Sequence, residues 1–179
     1  MRIKLSKTLK QLALGSALVA LSSTAFAATQ GSTGFTSTGD LLITLGVVDE
    51  VKISNLADIP LGNFAGVDIS GSSAACVYRS GVTGLYNITG TGSGAGNAFE
   101  LTDGVNSVAY LVDFNDGSGL SSLASGFALA STGATATDDD CTTAGGDNAL
   151  VQVTVTAAAA TILPASTYTG TLTLLISPL

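Results

Sequence analysis

The chain has 179 residues, 46% hydrophobic and only 11% charged, with 13 acidic and 6 basic residues. It has no His and no Trp, a single Met at position 1, and two Cys. The missing His removes His-based metal centres and every Ser–His or Cys–His nucleophile; six basic residues are too few for a nucleic-acid groove; the length fits one domain.

The chain begins as an export signal. Arg2, Lys4, Lys7 and Lys10 precede an apolar stretch from Leu12 to Leu21, and Ala25-Phe26-Ala27 fits the small-x-small cleavage pattern. The stretch is too short for a stable bilayer anchor, so residues 1–27 are predicted to be a signal peptide. Residues 28–179 then keep only Lys52 and Arg79 among the basic residues but all 13 acidic ones, a net charge of 2 − 13 = −11. Such a surface resists nucleic acid and anionic lipid, and no later apolar run is long enough to span a membrane as a helix.

Residues 28–39 are small, polar and Gly-rich, a flexible leader. In residues 40–56, Leu41, Ile43, Leu45, Val47, Val51 and Ile53 occupy alternate positions with Asp49 the one polar interruption. Period two predicts an extended strand with one apolar face. Pro60 and Gly62-Asn63 follow as breakers. Further strands are predicted at Ala75–Arg79, Leu85–Thr91, Ala98–Leu101 and Ser107–Phe114. The last of these places Val108, Tyr110, Val112 and Phe114 on one side. Residues 119–130 fit either a short helix or a strand, and 131–148 read as a loop. Ala149–Thr156 alternates through Val151, Val153 and Val155. Thr167–Ser177 puts Tyr168, Leu172, Leu174 and Ile176 on one side, with Gly170 between them.

About eight short strands with Gly, Ser, Asn and Asp turns, and no capped helix of sustained 3.6 period, predict an all-β protein. One-sided alternation favours an antiparallel β-sandwich. An eight-stranded outer-membrane barrel needs aromatic girdles, which ten scattered aromatics supply poorly. In an oxidising compartment Cys76 and Cys141 are expected to pair as a disulfide, closing a loop worth about 4 kcal/mol on the chain-entropy model.

The first strand is the segment most informative about function. It is apolar on one face and follows a flexible leader. It can reach out to complete a neighbour's sheet by β-strand addition, or serve as an ordinary first strand of its own sandwich; the residues alone weigh these about evenly. The stretch 40–56, with its Asp at a mid-strand break, resembles the N-terminus of alternate-type chaperone–usher fimbrial subunits. Cys76-Val-Tyr-Arg with Leu85-Tyr-Asn-Ile-Thr-Gly-Thr-Gly resembles central strands of archaic chaperone–usher subunits, including the spore coat protein U group. Leu163-Pro-Ala-Ser-Thr-Tyr-Thr-Gly-Thr-Leu-Thr-Leu-Leu-Ile-Ser-Pro is similar to the closing strand of both groups. One departure is that Val51–Ile53 lacks the early Cys common in archaic subunits.

The resemblance implies an immunoglobulin-like domain (49–179) lacking its last strand. A periplasmic chaperone would fill it first, and the donor strand (40–48) of the next subunit would then replace the chaperone at an outer-membrane usher. Carried onto this chain, Leu41, Ile43, Leu45 and Val47 are the donor side chains, and Tyr168, Leu172, Leu174 and Ile176 border the acceptor groove. The expected product is a homopolymeric fimbria on the cell surface that adheres to a host or abiotic surface or builds biofilm. The expected subunit is no enzyme and needs no cofactor. A self-contained secreted coat or adhesin domain binding a glycan or surface is the alternative.

The remaining motifs point elsewhere only weakly. Asp138-Asp139-Asp140 offers carboxylates to Ca²⁺, but three consecutive Asp in an extended loop cannot all face one ion, which favours a solvated turn. No spacing selects a glycosidase pair from Glu50, Glu100 and the aspartates. Asn87-Ile88-Thr89 matches the glycosylation pattern but lies on a predicted strand. Gly90 to Gly96 lacks the Lys of a phosphate loop and reads as a hairpin loop.

Overall fold

A computed structural model describes residues 28–81, 84–143 and 145–179; the predicted signal peptide lies outside the described residues. Contacts divide the chain into two units, residues 1–46 and 47–179. The described part of the first is an extended segment joined by a single bridge between Thr29 and Asp40.

The second unit is an immunoglobulin-like antiparallel β-sandwich. Its described residues form ten strands: β1 (Val51–Ser54), β2 (Ile69–Arg79), β3 (Tyr86–Gly92), β4 (Glu100–Thr102), β5 (Ser107–Ala109), β6 (Leu111–Asn115), β7 (Leu120–Ser122), β8 (Ala128–Ser131), β9 (Ala149–Val155) and β10 (Leu172–Pro178). One sheet has the order β1-β2-β9-β6-β7 and the other β10-β3-β8, with β4-β5 as a separate hairpin. All ladder pairs between these strands are antiparallel. One short helix, α1 (Ala157–Ala160), follows β9 and is capped by the Thr156 hydroxyl.

Period-two patterning builds the core as predicted. In β9, Val151, Val153 and Val155 are buried, and in β6 Val112 and Phe114 are. Tyr86 and Ile88 of β3 meet them from the opposing sheet. The Tyr86 and Phe114 rings pack edge to face, centroids 6.4 Å apart. β2 departs from alternation at Ala75-Cys76-Val77, all buried. Cys76 points to the outer face, where its 2.01 Å bond to Cys141 draws the 138–143 loop over it.

Two strand expectations need correction, and one open alternative is resolved. The predicted strand over 40–56 is realised only at Val51–Ser54, and residues 41–50 belong to no strand. A strand persists only where a ladder partner takes up its backbone groups, and no strand among the described residues forms a ladder with 41–50. The predicted strand Ser107–Phe114 divides at Tyr110 into β5 and β6. The chain there leaves the β4–β5 hairpin for the larger sheet while Val108, Tyr110, Val112 and Phe114 all stay buried. Residues 119–130 contain β7 and the start of β8, with no helix.

Candidate functional site

β10 is an edge strand, paired with β3 on one side only, from Leu172 opposite Gly92 to Pro178 opposite Tyr86. Its Leu172, Leu174 and Ile176 point inward but are only half-buried, unlike the valines of β9. β1 contacts β10 without forming a ladder with it. Beyond β1 the chain departs, and residues 56–64 run through no strand. Between that segment and β10 lies an open groove of about 1120 Å³.

The groove has a largely apolar floor, and its walls mix apolar residues with polar ones such as Asp58, Asn63 and Ser166. Val151, Val153 and Val155 of β9 and Val108 and Tyr110 form the floor, with Leu56, Ile59 and Leu61 on one wall and Tyr168, Leu172 and Leu174 on the other. Two close approaches hold the walls. A Cβ on Gly71 would lie 2.6 Å from the Ile59 methyl, so only Gly lets the 56–64 segment settle on β2. A Cβ on Gly170 would lie 2.6 Å from the Glu100 carbonyl oxygen, so Gly also lets the approach to β10 bridge β4 at Thr169–Thr102. The first wall is further tied by the Ala57 N–H, which donates to the buried Ser73 hydroxyl at 2.8 Å. The Tyr168 hydroxyl donates to the Pro164 carbonyl at 3.0 Å.

Three of the four expected acceptor residues, Tyr168, Leu172 and Leu174, thus line one groove. Ile176 is not among the groove-lining residues and packs against the core. The expected donor residues Leu41, Ile43, Leu45 and Val47 are 70%, 84%, 85% and 84% exposed. Sequence reading missed the facing wall, Leu56 to Phe64. Its apolar residues were visible, but Pro60 and Gly62 read only as breakers.

Val48–Glu50 is held where β2 ends. The Asp49 carboxylate accepts two bonds from Arg79, from Nη2 at 2.7 Å and Nε at 3.1 Å. That guanidinium holds the Asp49 carboxyl below the usual carboxylate range. The Ser80 hydroxyl donates to the Val48 carbonyl at 3.1 Å and accepts from the Glu50 N–H at 2.6 Å.

The acidic loop corrects one expectation. The loop is bent, with Cys141 at φ 57°, and brings carboxylate oxygens of Asp138, Asp139 and Asp140 within 4.8 Å of one another. Those carboxylates are nevertheless engaged: Asp138 by the Thr143 hydroxyl at 2.7 Å, Asp139 by Lys52 at 2.8 Å, and Asp140 by the Thr142 hydroxyl at 2.8 Å. They hold the loop that covers the disulfide.

No family model and no curated protein matches the chain. Among solved structures it is similar to a chain of a chaperone–tip adhesin complex of CFA/I fimbriae biogenesis. The identity is 16% and the TM-score 0.48, over 72% of this chain and 41% of that one, so this chain spans less than half of the other's length. A likeness at that level carries no argument about function. No helix among the described residues is long and apolar enough to cross a membrane.

Proposed function

We propose that this protein is a structural subunit of an extracellular fimbria, polymerising by lending residues 41–47 to the groove of the next subunit. The observation that carries the reading is the groove itself. It has an apolar floor, an unpaired β10 edge on one side and a strandless wall on the other, an arrangement that suits the addition of one strand. The same chain offers a segment of the right kind. Leu41, Ile43, Leu45 and Val47 alternate and are exposed, and the seven residues 41–47 equal the seven of β10 in length. Strand addition would pair the free edge through main-chain bonds and bury alternate side chains on the valine floor. It would also cover the unpaired edge and apolar surface that invite non-specific association. Head-to-tail contacts of this type do not close and build an open filament. Before exchange the groove needs a temporary occupant, the role of a periplasmic chaperone, with an outer-membrane usher passing the fibre to the surface. The chemistry asked of the subunit is adhesion and assembly rather than catalysis.

The test is binding of a synthetic peptide of residues 38–50 to the protein. Saturable binding that is lost when Ile43 and Leu45 of the peptide are changed to Asp supports the reading. Absence of binding, or a solved assembly with residues 41–47 seated in their own sandwich, overturns it in favour of a self-contained coat or adhesin domain.

A further inference from the structure

Arg79 stands at the end of β2 on its inward side, and its side chain makes two connections while its backbone makes a third. Nη2 and Nε take the Asp49 carboxylate. Nη1 donates to the Leu85 carbonyl, one residue before β3 begins. Its own backbone N–H donates to the Thr135 carbonyl at 2.9 Å. Tyr86, the next residue after Leu85, pairs with Pro178 at the end of β10. One guanidinium therefore joins residue 49 to the sheet that carries the groove's edge strand. Ser80 adds a second fixation: its hydroxyl engages residues 48 and 50, and its N–H donates to the Glu50 carbonyl at 2.8 Å. The Arg79 side chain is only 11% exposed in this arrangement, its planar fork engaging both Asp49 and the Leu85 carbonyl.

We propose that Arg79 and Ser80 are positioning residues that fix the root of the donor segment to the acceptor sheet. The angle between successive subunits of a fibre is then set by the fold rather than left to a free linker. This rests on the donor-strand reading. A Gly-containing linker without such a fixation samples a wide cone. Here the last three residues before β1 are held by two bonds to Arg79 and three involving Ser80, and the freely rotating part ends at Val47. The two fixations are independent: one is an ion pair with an exposed carboxylate, the other a hydroxyl wedged between two main-chain groups. Neither touches the groove floor, so loss of either should leave strand binding intact.

The experiment compares fibres assembled from the full chain with fibres of Asp49→Ala, Ser80→Ala and the double variant. The angle between neighbouring subunits is measured by electron microscopy, and binding of the 38–50 peptide serves as the control. Asp49 is a surface carboxylate, so its removal is compatible with folding; Asp49→Glu keeps the ion pair and is the rescue variant. The spread of inter-subunit angles is expected to widen roughly twofold in the double variant, which keeps only the main-chain bond from the Ser80 N–H to the Glu50 carbonyl. Peptide affinity should stay unchanged, and the Asp49→Glu fibres should match the parent. Unchanged angular spread with retained peptide binding overturns this proposal alone. Failure of the parent chain to bind the peptide removes the donor-strand reading and this proposal with it.

Discussion

Leu174 and Ile88 lie on adjacent strands of one ladder, two pairs apart (Leu174 opposite Gly90, Ile88 opposite Ile176), yet their environments differ sharply. Ile88 is fully buried on β3, whereas Leu174 on β10 is half-buried because one side of it looks into the groove. Truncation of a fully buried isoleucine loses transfer energy and leaves a cavity, about 2–5 kcal/mol. A leucine that already borders open space loses less on truncation because part of its surface never left water, about 1 kcal/mol. Ile88→Ala should therefore lower the denaturant midpoint strongly and Leu174→Ala only slightly. The order reverses for the 38–50 peptide: Leu174→Ala should weaken its binding on the order of tenfold, about 1.4 kcal/mol. Urea unfolding and a binding titration on the two variants check both halves. A Leu174→Ala chain as unstable as Ile88→Ala would mean the groove is closed in solution.

At the scale of elements, the unused edge of β10 makes a prediction with a periodic signature. In an antiparallel ladder successive residues direct their N–H groups to opposite neighbours. Half of the β10 amides therefore bond to β3, and the other half point toward the groove with no ladder partner. Peptide binding should slow hydrogen exchange at the groove-facing amides of Leu172–Leu174, by on the order of tenfold for each 1.4 kcal/mol of local stabilisation. The intervening amides should change little. Uniform protection along β10 would point to global tightening rather than strand addition.

The same elements show what alternation can and cannot reveal. The inward residues of β3, β6, β9 and β10 were legible because a half-buried strand must alternate. The division at Tyr110 was not, since the chain changes sheet there without changing which side faces the core. Residues 119–130 were ambiguous because their small Ala, Ser and Gly residues fit a helix and a strand alike. The groove could not be read directly because it is a missing neighbour, a property of how β1 and residues 56–64 diverge from β10. Only the apolar residues that would fill it, Leu41 to Val47, stood out in advance, and they did so as a strand without a visible partner.

For the whole molecule, charge governs how readily two copies meet. Residues 28–179 carry 2 basic and 13 acidic groups, net −11, and both basic side chains are already paired, Lys52 with Asp139 and Arg79 with Asp49. Neither contributes a free positive patch for a neighbour's acidic surface. The proposed donor segment, residues 41–47, is flanked by Asp40, Asp49 and Glu50, and Asp58 lies on the groove wall. Encounter of two such subunits is opposed over roughly 30 Å at 0.01 M salt but only about 8 Å at 0.15 M, the screening lengths of those solutions. The apolar contact that follows is little changed over that range. Assembly of fibres from purified subunits, followed by light scattering, is therefore expected to accelerate severalfold between these ionic strengths, with NaCl and KCl equivalent. Slower growth at higher salt would show that attraction between opposite charges steers the encounter, which the paired state of Lys52 and Arg79 does not allow.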